Sequence, residues 1–438
     1  MSVLSRRHGA VALVVILAVT LAACGAAAES AGPVSSLPSE DPSPGPIDLA
    51  RAELDRALAA LERIHPEPFH AAERASFVAD LEALKSSLPD LTPEVAAVEL
   101  MRIWATLAAE RDGHQFALPL DIEREPVLPI RVYEFDEGVF VTDALPPHEN
   151  LVGTRITAVG GTALDEVLEA LAPLVPRDGP ATVSSFRPLY LLRPIVLRGL
   201  GIVGDGAVPV TVSDGSGERT VDLAPVASAE FRAWAGWLPF HGLAPRDGLR
   251  HTQHDDPHFA VELLDDGRAV YVRYAQIQPV LGGAIEELRR VAAGPRVELV
   301  IVDLRQNTGG NNHTYPPVLQ ALGEEAIDRP GRLVVLTDRV TFSAASNFAT
   351  RLDQETSAVF AGEPMGGGLN FWNDVDWINL DDFVLPMRLA VSTRYWEMST
   401  PDDPRLSIEP DLRMRVRAAD YFAGRDPLLE AVLAGEAG

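Results

Sequence analysis

The stretch VELVIVDLRQNTGG, residues 297–310, decides the fold class. Its first part, Val297–Leu304, is apolar except for Glu298 and Asp303, which is typical of a strand in a sheet that is covered on both faces. The two glycines that end it, Gly309 and Gly310, predict a tight turn whose backbone N–H groups are accessible to a ligand. This stretch therefore predicts an α/β domain with a site just after a buried strand.

The sequence after this stretch alternates between helical and strand patterns. The predicted elements are a helix near Tyr315–Leu322, a strand at Leu333–Leu336, a helix at Ser343–Leu352 and a strand at Ala358–Ala361. This order predicts right-handed crossovers within one sheet and a site at the carboxyl ends of its strands.

Composition divides the 438-residue chain into five segments. They are a signal peptide at 1–23, a flexible linker at 24–46, a helical domain at 47–122, a β-rich domain at 127–226 and the α/β domain at 227–438. Leu54, Leu58 and Leu61 repeat at helical spacing in the third segment. The turn residues Asp214-Gly215 predict a hairpin in the fourth.

The N-terminus has the pattern of a bacterial export signal. Arg6 and Arg7 precede the uncharged run Gly9–Ala23, which is short for a membrane span and suits a signal peptide. Cys24 follows at once and is the one cysteine of the chain. The sequence Leu21–Cys24 resembles a lipobox, so we expect a lipid on Cys24 and a protein held on the outer face of the cell membrane by this lipid alone. An ordinary signal peptide that contains a cysteine is the alternative.

The charge balance excludes several classes of function. Lys and Arg total 37 and Asp and Glu total 63, for a net charge of −26, which argues against a nucleic-acid partner because phosphates require a basic surface. The single cysteine excludes an internal disulfide. All but one of the basic residues are arginine, so a catalytic lysine would have to be Lys85, which we place on the surface of a helix.

A second stretch, Thr337–Phe348, follows the strand at Leu333–Leu336. It contains a short loop and the start of the next helix. Ser343 is the first residue of that helix. Serine is common at this position because its side chain caps the free N–H groups of the first turn. The same position suits a nucleophile, because these N–H groups and the helix dipole would stabilise an oxyanion. The sequence leaves both interpretations open.

The order of several motifs resembles that of the tail-specific and tricorn-core serine peptidases. The motifs are Asp112-Gly113-His114, the PDZ-like stretch Leu151–Gly161, Asp303–Gly310, Thr341–Ser346, Gly362-Glu363-Pro364, Asp403-Pro404-Arg405 with Pro410-Asp411, Asp420-Tyr421 and Gly424–Pro427. The resemblance implies a multi-domain α/β fold: a helical region, a PDZ-like domain at 127–226 and a crotonase-like ββα peptidase core at 227–438.

The resemblance also implies the catalytic residues. Ser343 takes the place of the nucleophile, and the N–H groups of Gly309, Gly310 and Ala344 take that of the oxyanion hole. Family members that use a lysine base carry it about 25 residues after the serine, where this chain has Gly368. The histidine-using branch has its base where this chain has His114.

The acid that would orient His114 is less well defined. Asp403 lies nearest the family position, and Asp402 and Glu397 are alternatives. A catalytic histidine with an ordinary pKa predicts activity that falls as the pH drops through about 6.5. As alternatives, His114 could cap a helix and Asp403 could be a surface turn residue.

The leading hypothesis is an exported serine peptidase that cleaves peptides or proteins without a cofactor or metal. A non-catalytic ligand-binding lipoprotein on the same scaffold is one alternative, and a serine hydrolase acting on small esters or amides is another. The stretch His251–His258, with Asp255 and Asp256, has the composition of a divalent-metal site, although we interpret it as a polar loop.

Overall fold

The computed structural model describes residues 44–119, 125–235, 242–253 and 258–437. The predicted signal peptide, the lipidation site Cys24 and nearly all of the predicted linker at 24–46 lie outside these ranges. Within the described residues, no helix combines the length and the apolar character that crossing a membrane requires. The chain from Pro44 onward forms one compact unit.

The elements of this unit are as follows. The helices are Pro46–Ile64 (α1), Arg74–Ser87 (α2), Pro93–Thr106 (α3), Leu164–Leu171 (α4), Pro180–Leu191 (α5), Pro194–Gly199 (α6), Ser228–Ala235 (α7), Gly282–Ala292 (α8), Pro316–Leu322 (α9), Ala344–Glu355 (α10), Ala418–Phe422 (α11) and Pro427–Leu433 (α12). The strands are Ala117–Pro119 (β1), Ile130–Phe135 (β2), Gly138–Ala144 (β3), Arg155–Val159 (β4), Thr162–Ala163 (β5), Val208–Ser213 (β6), Glu218–Leu223 (β7), Phe259–Leu264 (β8), Ala269–Tyr274 (β9), Leu299–Asp303 (β10), Leu333–Thr337 (β11), Val359–Gly362 (β12), Asn370–Leu380 (β13), Met387–Glu397 (β14) and Leu412–Arg413 (β15).

The predicted helical region is confirmed by α1, α2 and α3. At the start of the third helix the Thr92 side chain accepts a hydrogen bond from the N–H of Val95, and Pro93 occupies the first turn. The buried indole of Trp104 donates to the carbonyl of Ala390, 3.0 Å away. Since Ala390 lies on β14, this bond attaches the helical region to the C-terminal half of the chain.

Lys85 differs from its predicted exposure. It lies on α2, but its side chain is only 11% exposed. Its ammonium group pairs with Asp55 on α1 and with Glu82 on its own helix. Lys85 therefore takes part in an ion-pair network between two helices rather than lying free on the surface.

The β-rich region forms a sheet with the strand order β2-β3-β4-β6-β7. The predicted hairpin around Asp214-Gly215 is confirmed as β6 and β7, paired antiparallel from Val208 opposite Leu223 to Ser213 opposite Glu218. Helices α4, α5 and α6 follow β5 in the chain and precede β6 of the same sheet.

The central sheet has the order β15-β12-β11-β10-β9-β8. Strands β9 to β12 are parallel, which confirms the prediction for β10, β11 and β12, and Val300 of β10 lies opposite Leu333 of β11. Strand β10 is shorter than the apolar run at 297–304, because the N–H of Val297 closes a turn onto Gly294. Side chains from β10 enter two separate apolar clusters, so this sheet is covered on both faces.

A third sheet, in the order β1-β14-β13, was not predicted. Its two long strands pair over eleven residues each, and β13 alternates between buried and exposed positions. This hairpin follows the Gly362-Glu363-Pro364 motif and brings Trp372 and Asn373 close to the loops that leave the central sheet.

Candidate active site

Ser343 lies at the junction between β11 and α10. From Leu333 to Thr350 it is the one residue that is not buried. Its backbone has φ 55° and ψ −127°, a left-handed conformation that destabilises a non-glycine residue by about 1–3 kcal/mol. The side chain makes no capping hydrogen bond to the helix. This geometry favours the nucleophile interpretation of Ser343 over the N-cap interpretation.

The loop before Ser343 is held by a single carboxylate. Asp338 is 1% exposed and accepts hydrogen bonds from the N–H groups of Gln306, Val340 and Thr341 at 3.0–3.1 Å. Because Gln306 belongs to the loop after β10, Asp338 also fixes the serine loop against the glycine turn.

The glycine turn packs directly against Ser343. A Cβ atom on Gly309, which has φ 109°, would lie 2.7 Å from Cβ of Ser343 and 2.9 Å from the backbone nitrogen of Ala344. The N–H of Gly309 itself donates to the side chain of Asn307. The neighbouring bridge to Ile277 uses the carbonyl of Gly309 and the N–H of Asn311, and so does not use the N–H of Gly310.

This contact gives a test of the glycine turn. Gly309→Ala is expected to reduce the turnover of a reporter peptide by about 100-fold or more, because the added methyl group displaces Ser343 and the N–H of Ala344. Gly161→Ala is the matched control, since Gly161 also has a positive φ but no atom lies within 4 Å of the added Cβ. Gly161→Ala is expected to lose about 1–2 kcal/mol in the free energy of unfolding because of its positive φ, and Gly309→Ala is expected to lose more because of the added contacts. Equal turnover by the two variants would contradict this account of the turn.

His114 lies beside the serine loop. Its ring stacks on Phe342, the residue before Ser343, with the ring centroids 4.6 Å apart, and on Phe371 at 5.5 Å. The ring also hydrogen-bonds to the backbone of Trp372. The structure therefore brings the predicted base and the predicted nucleophile into one neighbourhood, although 229 residues separate them.

The two side chains are not hydrogen-bonded to each other in this structure. The amide of Asn373 donates to the Ser343 hydroxyl at 3.3 Å. Nδ1 of His114 is buried and has no hydrogen-bond partner among the described residues. Catalytic hydrogen bonds in unliganded sites are often long and tighten when substrate binds.

Burial lowers the pKa of His114 to about 3, although its bond to the Trp372 backbone acts in the opposite direction. The imidazole is therefore neutral, and able to accept a proton, from weakly acidic pH upward. The expectation that this histidine titrates near pH 6.5 assumed an exposed ring and does not hold for this buried one.

The carboxylate of Asp403 is already fully engaged. It accepts hydrogen bonds from the side chain of Ser399 and from the backbone and guanidinium of Arg405, and the bond from Arg405 holds the pKa of Asp403 well below its usual range. Only its backbone carbonyl faces the histidine loop, where it accepts a bond from Arg111. The alternatives Asp402 and Glu397 are exposed. The acidic role of Asp403 stays a prediction.

Two residues at this site were not predicted from the sequence. They are Asn373, which holds the serine hydroxyl, and Asp178, whose side chain contacts the loop of His114. Asn373 lies on the unpredicted strand β13. Asp178 stands before Gly179-Pro180, a pattern that indicates only a turn and a helix start.

The only group of potential metal ligands in the described part of the chain is His65, His70 and Asp112. Nδ1 of His65 accepts the N–H of Glu67 at 2.9 Å, so the proton of the neutral ring lies on Nε2 and is donated to Asp112 at 3.2 Å. Ser392 donates to the other oxygen of Asp112. A metal ion at Nε2 would have to displace that proton, so we interpret this group as a hydrogen-bonded network.

The other candidate metal stretch is only partly described. His254, Asp255 and Asp256 lie outside the described residues. His251 is 2% exposed, and its Nδ1 lies 3.3 Å from Asp426. His251 therefore points into the protein.

Comparison with known proteins identifies the fold. No protein-family model and no curated protein matches the chain. The solved structure of mature CPAF aligns over 88% of this chain and 96% of its own, with 14% identity and a TM-score of 0.56. CPAF complexed with lactacystin aligns over 88% and 98%, with 14% identity and a TM-score of 0.57. This likeness covers nearly the whole chain and confirms the predicted multi-domain fold.

Proposed function

We propose that this chain is an exported serine peptidase that cleaves peptides or proteins through an acyl-enzyme, with Ser343 as the nucleophile and His114 as the general base. The observation that carries the proposal is the state of Ser343. It is a strained, uncapped serine, the one residue between Leu333 and Thr350 that is not buried, and it lies beside a neutral imidazole. Strain at such a position is typical of functional sites.

The arrangement of groups suits acyl transfer. His114 takes the proton of the Ser343 hydroxyl as the oxygen attacks the carbonyl carbon of the substrate. The N–H of Ala344, which has no intrahelical partner because it opens α10, and the N–H of Gly310 stabilise the oxyanion. His114 then gives the proton to the leaving amine, and a water molecule repeats the sequence to release the acid and restore Ser343.

The proposal also concerns the group that orients the imidazole of His114. The observed hydrogen bond of the His114 ring is to the backbone of Trp372. Trp372 in turn donates its N–H to the carbonyl of Arg111. Asp403 remains the predicted acid of the triad, and its link to the histidine loop passes through Arg111. Export and attachment through a lipid on Cys24 are also part of the proposal, and they rest on the N-terminal sequence pattern.

A labelling experiment tests the nucleophile directly. A fluorophosphonate probe is expected to attach to one peptide of the intact protein, the one that contains Ser343, as identified by mass spectrometry. The variant Ser343→Ala should remain unlabelled while showing the same unfolding curve. Absence of labelling in the wild-type protein, with a bound peptide still detectable, would support the non-catalytic alternative instead.

A further inference from the structure

Asp178 is a completely buried carboxyl group to which the mechanism above gives no role. It lies in the turn before α5. Its Oδ1 accepts the N–H of Gly113, the residue before His114, at 2.5 Å. Its Oδ2 accepts the N–H of Gly368 at 3.3 Å. One carboxyl group therefore joins the loop of the proposed base to the glycine segment 366–368.

The glycine segment in turn supports the serine loop. The N–H groups of Gly366 and Gly367 both donate to the carbonyl of Thr341, at 3.1 and 3.2 Å. A Cβ atom on Gly367 would lie 2.3 Å from the hydroxyl oxygen of Ser346 and 3.2 Å from the backbone nitrogen of Ser343. A shift of this segment would therefore be transmitted directly to Ser343.

Thr182 provides a second bond between the same segments. Its hydroxyl donates to the carbonyl of Gly366 at 2.5 Å, and its oxygen accepts the N–H groups of Asp178 and Gly179 at 3.1 Å. Residues 178–182 therefore form a brace, with a titratable contact at Asp178 and a non-titratable contact at Thr182.

We propose that Asp178 is a positioning residue of the active site, whose ionised carboxylate ties the loop of His114 to the glycine segment behind Ser343. The ionised form is required because both partners are N–H donors. A carboxylate accepts both bonds, whereas a protonated carboxyl group would turn its O–H against one of them. This inference rests on the proposed peptidase function.

The surroundings of Asp178 raise its pKa into the neutral range. Burial raises the pKa of Asp178 to about 7. The bonds from Gly113 and Gly368 and the charge of Arg111 oppose this rise, and the charge of Asp112 adds to it. Two further charged groups lie close to this turn. The guanidinium of Arg177 donates to the carbonyl of Ala172. Asp403 pairs with Arg405, in the segment that packs on Gly179.

The pH dependence of activity separates the two titrating groups. His114 stays neutral down to about pH 3 and so does not account for an activity that falls as the pH drops through about 7, whereas the ionisation of Asp178 lies in that range. In Asp178→Asn the carboxamide still accepts the bond from Gly113 but cannot change charge. Because its NH2 group is turned against one of the two N–H donors, as the O–H of the protonated acid would be, we expect this variant to have reduced turnover at pH 8.5 and its acid limb to be displaced from the region around pH 7.

Thr182→Val is the matched control, because it weakens the same brace without removing a titrating group. It is expected to lower kcat/KM at every pH and to leave the acid limb in place. An acid limb near pH 7 that persists in Asp178→Asn would overturn the proposal. So would an equal displacement of the limb in Thr182→Val, since the limb would then report loop mobility in general.

A measurement that needs no turnover tests the role of Asp178 independently of the proposed function. It retains Asp178, so it does not depend on whether Asp178→Asn folds. In full-length Ser343→Ala, hydrogen exchange of the peptides that contain Gly113 and Gly368 is followed by mass spectrometry from pH 5.5 to 8.5. After correction for the intrinsic rate, protection is expected to rise through pH 7. Protection that is independent of pH would refute the role of Asp178, whatever the enzyme does.

Discussion

Replacing Ser343 by alanine is expected to lower the turnover of a reporter peptide by about 10⁴-fold or more, because it removes the hydroxyl group that we propose as the nucleophile. His114→Ala should produce a loss of similar size, since a serine hydroxyl reacts poorly without a neighbouring base. The double variant should be hardly worse than either single one, because the two side chains act in the same step. The measurement is kcat/KM at pH 8.5 for each of the four proteins.

Ser86→Ala serves as the control, because this serine is exposed on α2 and bonds only to the carbonyl of Glu82 within its own helix. It should keep wild-type activity. Losses that simply multiply in the double variant would mean that Ser343 and His114 act independently. That result would contradict a shared proton transfer.

The second large effect concerns stability. Arg305→Ala is expected to lower the free energy of unfolding by about 3–5 kcal/mol, because it leaves two buried carboxylates without their cation. The guanidinium is 2% exposed and binds Asp303 at 2.6 Å and Asp426 at 2.8 Å. Although burial favours their neutral forms, Arg305 holds the pKa values of both acids below their usual range.

The pH dependence of this loss has a definite sign. In the wild type the depressed pKa values add stability that is present above about pH 4 and is lost as the pH falls below it. Without Arg305, burial instead raises both pKa values, so the variant should be least stable at high pH and partly recover on acidification. Urea unfolding followed by tryptophan fluorescence at pH 5 and pH 8 measures this difference.

Arg290→Ala is the matched control for Arg305→Ala. Arg290 lies on α8 and pairs with Glu287 at the surface, where its side chain is 70% exposed, so its removal should leave the unfolding midpoint unchanged. A loss for Arg305→Ala as small as that of the control would show that water reaches the ion cluster.

Much of the fold was predictable because it depends on local patterns. The apolar run at 297–304 indicated a strand buried on both faces, and β10 runs through its centre. The pattern around Ser343 correctly indicated the start of α10. The third sheet was missed because β13 mixes aromatic, amide and acidic residues, and its buried positions become clear only once β14 pairs with it.

The candidate site was predictable only in part. Some of its residues are identified by their order along the chain, and others only by their contacts in the folded structure. The residue types of Ser343 and His114, and the glycine where a lysine base would stand, can be found from their order along the chain. Asn373 and Asp178 could not be found in this way, because their roles depend on partners that only folding brings near. Asp178 illustrates this: its partners Gly113 and Gly368 lie 65 and 190 residues away in the sequence.

The sequence by itself determined the buried strand, the glycine turn, the helix that begins after Ser343 and the absence of a lysine base near it. Each of these depends on the nature of residues that are neighbours in the chain. The tertiary structure alone decided that Ser343 is uncapped and strained, that His114 is neutral, and that Asp178 faces two backbone N–H groups. Desolvation, strain and hydrogen-bond partners arise from packing between distant segments, so no local pattern encodes them.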